Sequence, residues 1–139
     1  MMVELTPPLI ICIVSSGDFS FAALRGTGEC TIAIPTAGLA GKAVKVGNCS
    51  GRDTDKFSAF DLTPLPATAI KAPLIAECSA NLECRVADTG MVSKYGLFIL
   101  EVVKAWIDPK QAASKTIHHR GYGSFAVDGK VIHLESRMP

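Results

Sequence analysis

Three short stretches concentrate the side chains able to do chemistry. The densest is Gly47 to Phe57, GNCSGRDTDKF, which places Asn48, Ser50, Gly51, Arg52, Asp53, Thr54, Asp55 and Lys56 ahead of a short helical pattern. Backbone N–H groups at a helix start, a hydroxyl and two cations together suit a phosphate. The plain alternative is a capped turn, with Asp53 as the cap and Arg52 and Lys56 solvated. The stretch is neither a GxxxxGK[ST] loop nor a GxGxxG loop. The second stretch, Ser15 to Phe21 (SSGDFSF), sets three hydroxyls and a glycine directly after an apolar strand. A polar loop leaving a core strand is a common place for a ligand, and a turn with a helix cap is the alternative. The third is His118 to Gly123, HHRGYG. Adjacent histidines on an extended chain face opposite ways, which argues against a shared metal. Arg120 and Tyr122 suit a planar anion by charge and stacking, and a surface loop is the alternative.

Other catalytic signatures are missing from the sequence. There is no GxSxG elbow, no supported Cys/His pairing, and no spacing that makes Glu77 and Glu83 an acid/base pair. Redox or group-transfer chemistry would therefore fall to a cofactor. Five cysteines, Cys12, Cys30, Cys49, Cys78 and Cys84, include no CxxC pair. They read as reduced thiols acting as small hydrophobes, with a zinc site or disulfides as the alternative. With 14 basic and 13 acidic side chains, the net charge of +1 supplies no field to gather nucleic acid or an anionic membrane surface. The apolar run from Pro7 to Val14 is far short of the ~20 residues that span a bilayer. It also lacks a basic segment ahead of it, which points to the cytoplasm.

These residues need a scaffold. At 48% hydrophobic and 19% charged over 139 residues, the chain has the composition of one folded domain, residues 1–139. Leu9 to Ser15 reads as a strand buried on both faces. Phe19 to Arg25 reads as a helix capped by Asp18 or Ser20 and stopped by Gly26 and Gly28. Glu29 to Ile34 is a second strand. Thr36 caps a helix whose Leu39, Ala43 and Val46 make one apolar stripe, and Asp53 to Phe60 reads as a shorter helix. The segment LTPLPATAIKAPLI, with Pro64, Pro66 and Pro73, is expected to run extended over a surface or an edge. In Ala80 to Ala87, Leu82, Cys84 and Val86 alternate with Asn81, Glu83 and Arg85. Tyr95 to Ile107 is the longest strand, apolar on both faces and so central. Its Phe98, Leu100, Val102, Lys104 and Trp106 are expected on one side. Asp128-Gly129 predicts a hairpin turn within Ser124 to Leu134. Strands without strand–helix alternation predict a mainly β fold with a few short helices, a small antiparallel barrel or sandwich.

Several of these stretches resemble the flavin reductase-like proteins, the FMN-binding split barrels that include flavoredoxin. TGECTIAIPT, GNCSGRDTDKF, LTPLPATAIKAPLIAECSANLECRV, YGLFILEVVKAWID and TIHHRGYGSFAVDG follow that family's order over residues 7–139. The resemblance implies an antiparallel, Greek-key split β-barrel that forms a homodimer and binds FMN, with NAD(P)H as possible co-substrate. It implies flavin reduction or flavin-mediated electron transfer, with no catalytic side chain required. It assigns Ser15, Ser16, Ser20 and Phe21 to a segment along the FMN phosphate and ribityl chain. Asn48, Cys49, Ser50, Arg52 and Lys56 fall in a second flavin-side segment. Two departures accompany it. Ser93-Lys94-Tyr95 stands where the family often has a histidine linked to nicotinamide handling. The family also carries further strands before the position of Pro7-Pro8, so the domain is expected to be truncated at its N-terminus. On that expectation the alternative is a homologue that folds and oligomerises but has lost flavin binding.

Overall fold

The computed structural model describes residues 1–111 and 114–135. In chain order the elements are β1 (Met2–Leu5), β2 (Pro8–Ile13), α1 (Phe19–Thr27), β3 (Glu29–Ile34), a 3-10 turn (Ala37–Leu39) and α2 (Ala40–Gly47). They continue with α3 (Lys56–Ala59), β4 (Pro64–Leu65), β5 (Leu74–Ile75), β6 (Ala80–Asp88), α4 (Val92–Tyr95), β7 (Leu97–Ile107), β8 (Ile117–Gly121) and β9 (Ser124–Val127). Five strands make one sheet in the order β1-β2-β7-β6-β3, and each neighbouring pair is antiparallel. The longest strand, β7, is central, as its two apolar faces require. No described helix is long and apolar enough to cross a membrane.

One face of the sheet closes on the apolar core. Leu24 of α1, Cys84, Val92, Phe98 and Leu100 are buried together, and Ile10, Cys12, Val14, Phe21, Cys30, Ile32, Leu82, Val86 and Val102 pack against them. The alternation of Leu82, Cys84 and Val86 toward this core is the pattern expected from sequence. Cys30 and Cys84 stand opposite each other on β3 and β6. The contact with the Cys84 sulfur, together with burial, pushes the Cys30 thiol up. All five cysteines are free thiols.

The other face is organised by a carboxylate. Glu83 is fully buried on β6. Both its oxygens accept from the Thr68 N–H (3.1 and 3.2 Å), and it also accepts from the N–H groups of Ala69 (2.6 Å) and Ile70 (3.2 Å). The Trp106 Nε1–H donates to it at 2.6 Å. Burial pushes this carboxyl up, but the Trp106 bond and the amides of Ala69, Thr68 and Ile70 outweigh it and pull the pKa down to about 2.

The proline-rich segment is thereby strapped across the sheet. Glu77 accepts the Thr63 N–H, Glu29 accepts the Lys71 N–H, and Asn81 takes both the N–H and the C=O of Ile75. A chain with three prolines cannot form a continuous ladder, so side chains satisfy its backbone instead.

Four sequence expectations are corrected. The side chains of β7 do not alternate uniformly. Glu83 lies opposite Lys104 but Cys84 opposite Val102, so Val103 is a bulge. The bulge flips Lys104 and Trp106 away from the face of Phe98, Leu100 and Val102 and onto that of Glu83. The predicted Asp128-Gly129 turn is displaced: β8 and β9 turn through Tyr122-Gly123. Asp128 lies beyond β9, where it accepts from the Thr116 N–H and hydroxyl and sits 2.9 Å from His118 Nε2. The helix expected over Asp53 to Phe60 is the single turn Lys56–Ala59. Finally, Met2–Leu5, where the sequence predicts no strand, forms one that pairs with β2 as the sheet's edge.

The buried charge sets a pH dependence. A carboxyl whose folded pKa lies near 2, below its ordinary 4.5, adds stability that is complete above about pH 4.5 and is lost as pH falls toward 2. Glu83→Gln is expected to lower unfolding stability at pH 7 by about 2–3 kcal/mol, the cost of removing a charged acceptor from buried donors. It should also flatten the acid limb between pH 4.5 and 2. Urea titrations of both proteins across that range measure both effects.

Candidate functional site

The fold brings the first two sequence clusters together. After β2, the Val14 N–H donates to the Gly96 carbonyl at 2.9 Å, and a tight turn follows in which the Asp18 N–H donates to the Ser15 carbonyl at 3.0 Å. Asp18 occupies the cap position of α1 but makes no side-chain capping bond. The leading N–H groups of this nine-residue helix therefore have no side-chain acceptor, and an anion is their natural complement.

Facing this helix start is the segment after α2. The Ser50 Oγ accepts the Arg52 N–H at 3.1 Å, and the Ser50 carbonyl accepts the N–H groups of Asp53 and Thr54. Asp55, not Asp53, caps α3: it accepts from the Phe57 N–H at 3.1 Å and from the Ser58 hydroxyl at 2.7 Å. The Ser58 bonds and the Phe57 amide hold its carboxyl below the usual range. Lys56 is fixed by donating to the Val46 carbonyl at 2.8 Å, at the end of α2. An ammonium has three N–H donors, so this bond leaves two for a ligand.

Between these segments lies a cleft of about 550 Å³ lined by Ile13, Val14, Gly17, Asp18, Phe19, Ser20, Gly47, Asn48, Cys49, Ser50, Gly51 and Lys56. A Cβ at Gly51 would stand 3.1 Å from the Phe19 ring, so this loop lies flat on that ring. Of the residues expected at a site, Ser20, Asn48, Cys49, Ser50 and Lys56 meet in this cleft. Ser15, Ser16 and Phe21 line a neighbouring cleft of about 410 Å³, which shares Val14 with the first. Phe21 is also a core residue, packed edge-on against Phe98 at 5.6 Å. Arg52 lines neither cleft and is exposed.

The third cluster stands apart, on the β8–β9 hairpin. His118 faces Asp128 while His119 packs on Phe125 at 4.9 Å, so the two rings do point opposite ways. Tyr122 is fully exposed at the tip. Sequence reasoning missed Asp18, Phe19, Ile13 and Val14 as cleft walls. Asp18 could have been found, because it lies inside the polar loop already singled out. Phe19 lies in the same loop but, like Ile13 and Val14 just before it, carries no signal as an apolar residue beyond its position.

Residues 1–126 match the family model of the flavin reductase like domain. The chain belongs to that family. It is 30% identical over 142 residues to the uncharacterized protein YddH of Escherichia coli K12, covering 94% of this chain and 75% of that protein. It superposes on the FMN-binding domain of a flavin reductases-like enzyme from Shewanella baltica with a TM-score of 0.88 at 22% identity, covering 96% of this chain and 78% of that one. Flavoredoxin of Desulfovibrio vulgaris superposes with a TM-score of 0.85 at 19% identity, covering 96% and 77%. These likenesses establish the fold as the split-barrel, mainly β class expected from the sequence. In this flavin reductase-like chain one wall of the first cleft comes from the Gly47–Phe57 stretch, which is among those that resemble the family, and the other from the polar loop after β2.

Both clefts depend on one close approach. Gly96 has φ +65°, and a Cβ there would lie 2.3 Å from the Val14 carbonyl oxygen. Gly96→Ala is expected to push the turn off the end of β2, destabilising the protein by about 1–3 kcal/mol. A thermal melt should show a Tm lower by several degrees.

Proposed function

We propose that this chain is an FMN-binding oxidoreductase of the flavin reductase type, with the flavin phosphate at the start of α1. The observation that carries the reading is the convergence on one cleft of the uncapped α1 N-terminus, the hydroxyls of Ser20 and Ser50, the Asn48 amide and the Lys56 ammonium. That donor set suits a phosphate monoester and a polyol chain. The apolar walls from Ile13, Val14 and Phe19 suit part of a ring system, and the volume of about 550 Å³ is that of an ordinary cofactor site. Family membership and the FMN named for the Shewanella relative point the same way.

In this reading Lys56 and the α1 amides neutralise the phosphate. Ser20, Ser50 and Asn48 orient the chain between phosphate and ring, with Cys49 beside them. Ser15, Ser16 and Phe21 form the rim toward the second cleft, and Arg52 adds positive charge from outside. Bound flavin supplies the hydride and electron chemistry, with NAD(P)H as the reductant or another carrier as the partner. Free thiols throughout accord with a cytoplasmic protein. The edge strand β1, with exposed Met2, Val3 and Leu5, accords with a homodimer, which light scattering would register as twice the chain mass.

The test is direct. Purified protein mixed with FMN and passed over a gel-filtration column should retain absorbance near ~450 nm. A colourless protein fraction contradicts the proposal. Lys56→Ala is expected to weaken FMN binding by about 10–100-fold, the loss of a charge-assisted phosphate contact. Asp18→Asn, which removes the one carboxylate lining the cleft among the described residues, should tighten binding several-fold. Fluorescence titration of FMN measures both.

A further inference from the structure

The apolar stripe of α2 does not close on the strands beneath it. Leu39, Ala43 and Val46 are each only half-buried, and between them and strands β3 and β5 lies a hollow of about 210 Å³. Ile75 and the buried Cys78 line its far side. Ala43, at the middle of the stripe, is too short to fill it. Apolar side chains around an unfilled hollow forgo the contacts that close packing would supply. The hollow and the first cleft share no lining residue.

Among the described residues one charged side chain reaches this hollow, that of Lys42, which flanks the stripe on α2. Its position is fixed. The ammonium donates to the Asp61 carbonyl at 2.7 Å, and Asp61 is held in a left-handed turn with φ +49°. That bond leaves the ammonium two N–H donors. Among the described residues it forms no ion pair. Glu77, next to Cys78 in the chain, does not line the hollow, and both its oxygens accept the Thr63 N–H, at 3.0 and 3.1 Å.

We propose that this hollow binds a small monocarboxylic acid with an apolar body, its carboxylate on the Lys42 ammonium. An apolar cavity of about 150 Å³ takes up benzene, so one of about 210 Å³ holds a single ring or a chain of about six carbons. A neutral hydrocarbon would fill the apolar part and leave the ammonium without a counter-ion. A phosphate ester would bring a second charge to a site with one cation and no hydroxyl or amide side chain. A monocarboxylate matches both parts: its body replaces water against the stripe, and its oxygens accept the two open donors as charge-assisted bonds. The site stands independently of the flavin reading.

Titration of the full chain with benzoate and hexanoate, and with the neutral benzamide and hexanamide, tests this by the methyl NMR signals of Leu39, Val46 and Ile75. The expected result is saturable shifts at these methyls, with each acid bound at least about fivefold more tightly than its amide. Lys42→Met should erase that preference, and Lys42→Arg should keep it. Lys45→Met, which removes an exposed cation of the same helix, should bind as the parent does. Ala43→Leu fills the hollow, so it should lose binding of acid and amide alike while Tm is unchanged or raised. Should that variant fail to fold, the comparison of Lys42→Met with Lys42→Arg decides. Four outcomes overturn the proposal: no saturable shift at the stripe, shifts confined to Ile13 and Val14 of the first cleft, an acid preference that survives Lys42→Met, or stripe shifts that follow protein concentration alone, which would mark a contact between copies of the chain. FMN retention on gel filtration is read in each variant and reports on the first cleft only.

Discussion

The Glu83 carboxylate is the constraint on which the arrangement of the sheet depends. A carboxylate with no exposed surface is stable only where hydrogen-bond donors replace its hydration. Here they come from three consecutive amides of the proline-rich strap and from an indole. Each donor imposes a geometric requirement. The strap must bend at Thr68–Ile70 so that three N–H groups converge. Trp106 must reach the face opposite the core, which the bulge at Val103 makes possible. Lys104 arrives on that face by the same bulge, and there its ammonium lies 4.4 Å from the Trp106 ring centre and donates to the Thr68 hydroxyl at 2.8 Å. The Arg85 guanidinium then donates to the Ala69 carbonyl at 2.6 Å, leaving the bend with partners on both sides. One strand, β6, thus separates an apolar layer built on Cys84 from a polar one built on the adjacent residue.

The site is built on the opposite principle. Where the strap is saturated with hydrogen bonds, the mouth of the first cleft keeps donors open. Asp18 sits at the cap position and makes no side-chain bond to the start of α1, whereas the Asp55 side chain accepts two amides at the start of α3. Lys56 is held through one of its donors and free through the others. Rigid supports lie directly beneath: β2 pairs with the central strand through Ile13, and Val14 is fastened to Gly96. The clefts therefore combine fixed walls with unsatisfied polar groups, which is what a binding site for a polar, anionic cofactor requires.

Much of this was legible in the residues. Strands β2, β3, β6 and β7 announce themselves by apolar runs and alternation, and the two polar segments that form the first cleft stand out by composition. What escaped was decided by contacts distant in sequence. The bulge at Val103 leaves no trace in a run of apolar residues, since either face is acceptable locally. Glu83 reads as a solvent-facing residue of an alternating strand until the strap is seen above it. Asp128-Gly129 has the local chemistry of a hairpin turn. The side chain of Asp128 is instead engaged by Thr116, and the glycines flanking Tyr122, both with positive φ, make the turn. The β1 strand is short and exposed, and it has no amphipathic signature because neither face is covered. The cap of α3 falls two residues later than composition suggests, because Asp53 and Thr54 already donate their amides to Ser50.

The contact between Gly96 and Val14 has a consequence for how such a protein can diversify. Position 96 tolerates no side chain, so the end of α4 is anchored at a single point in any descendant that keeps this fold. The residues just before it, Ser93, Lys94 and Tyr95, lie on the rim of the second cleft and are exposed. They can be exchanged without disturbing the core. An invariant pivot beside a short variable rim separates inheritance of the scaffold from inheritance of its preferences. Selection acting on those three positions could retune what the cleft accepts while the barrel beneath stays the same.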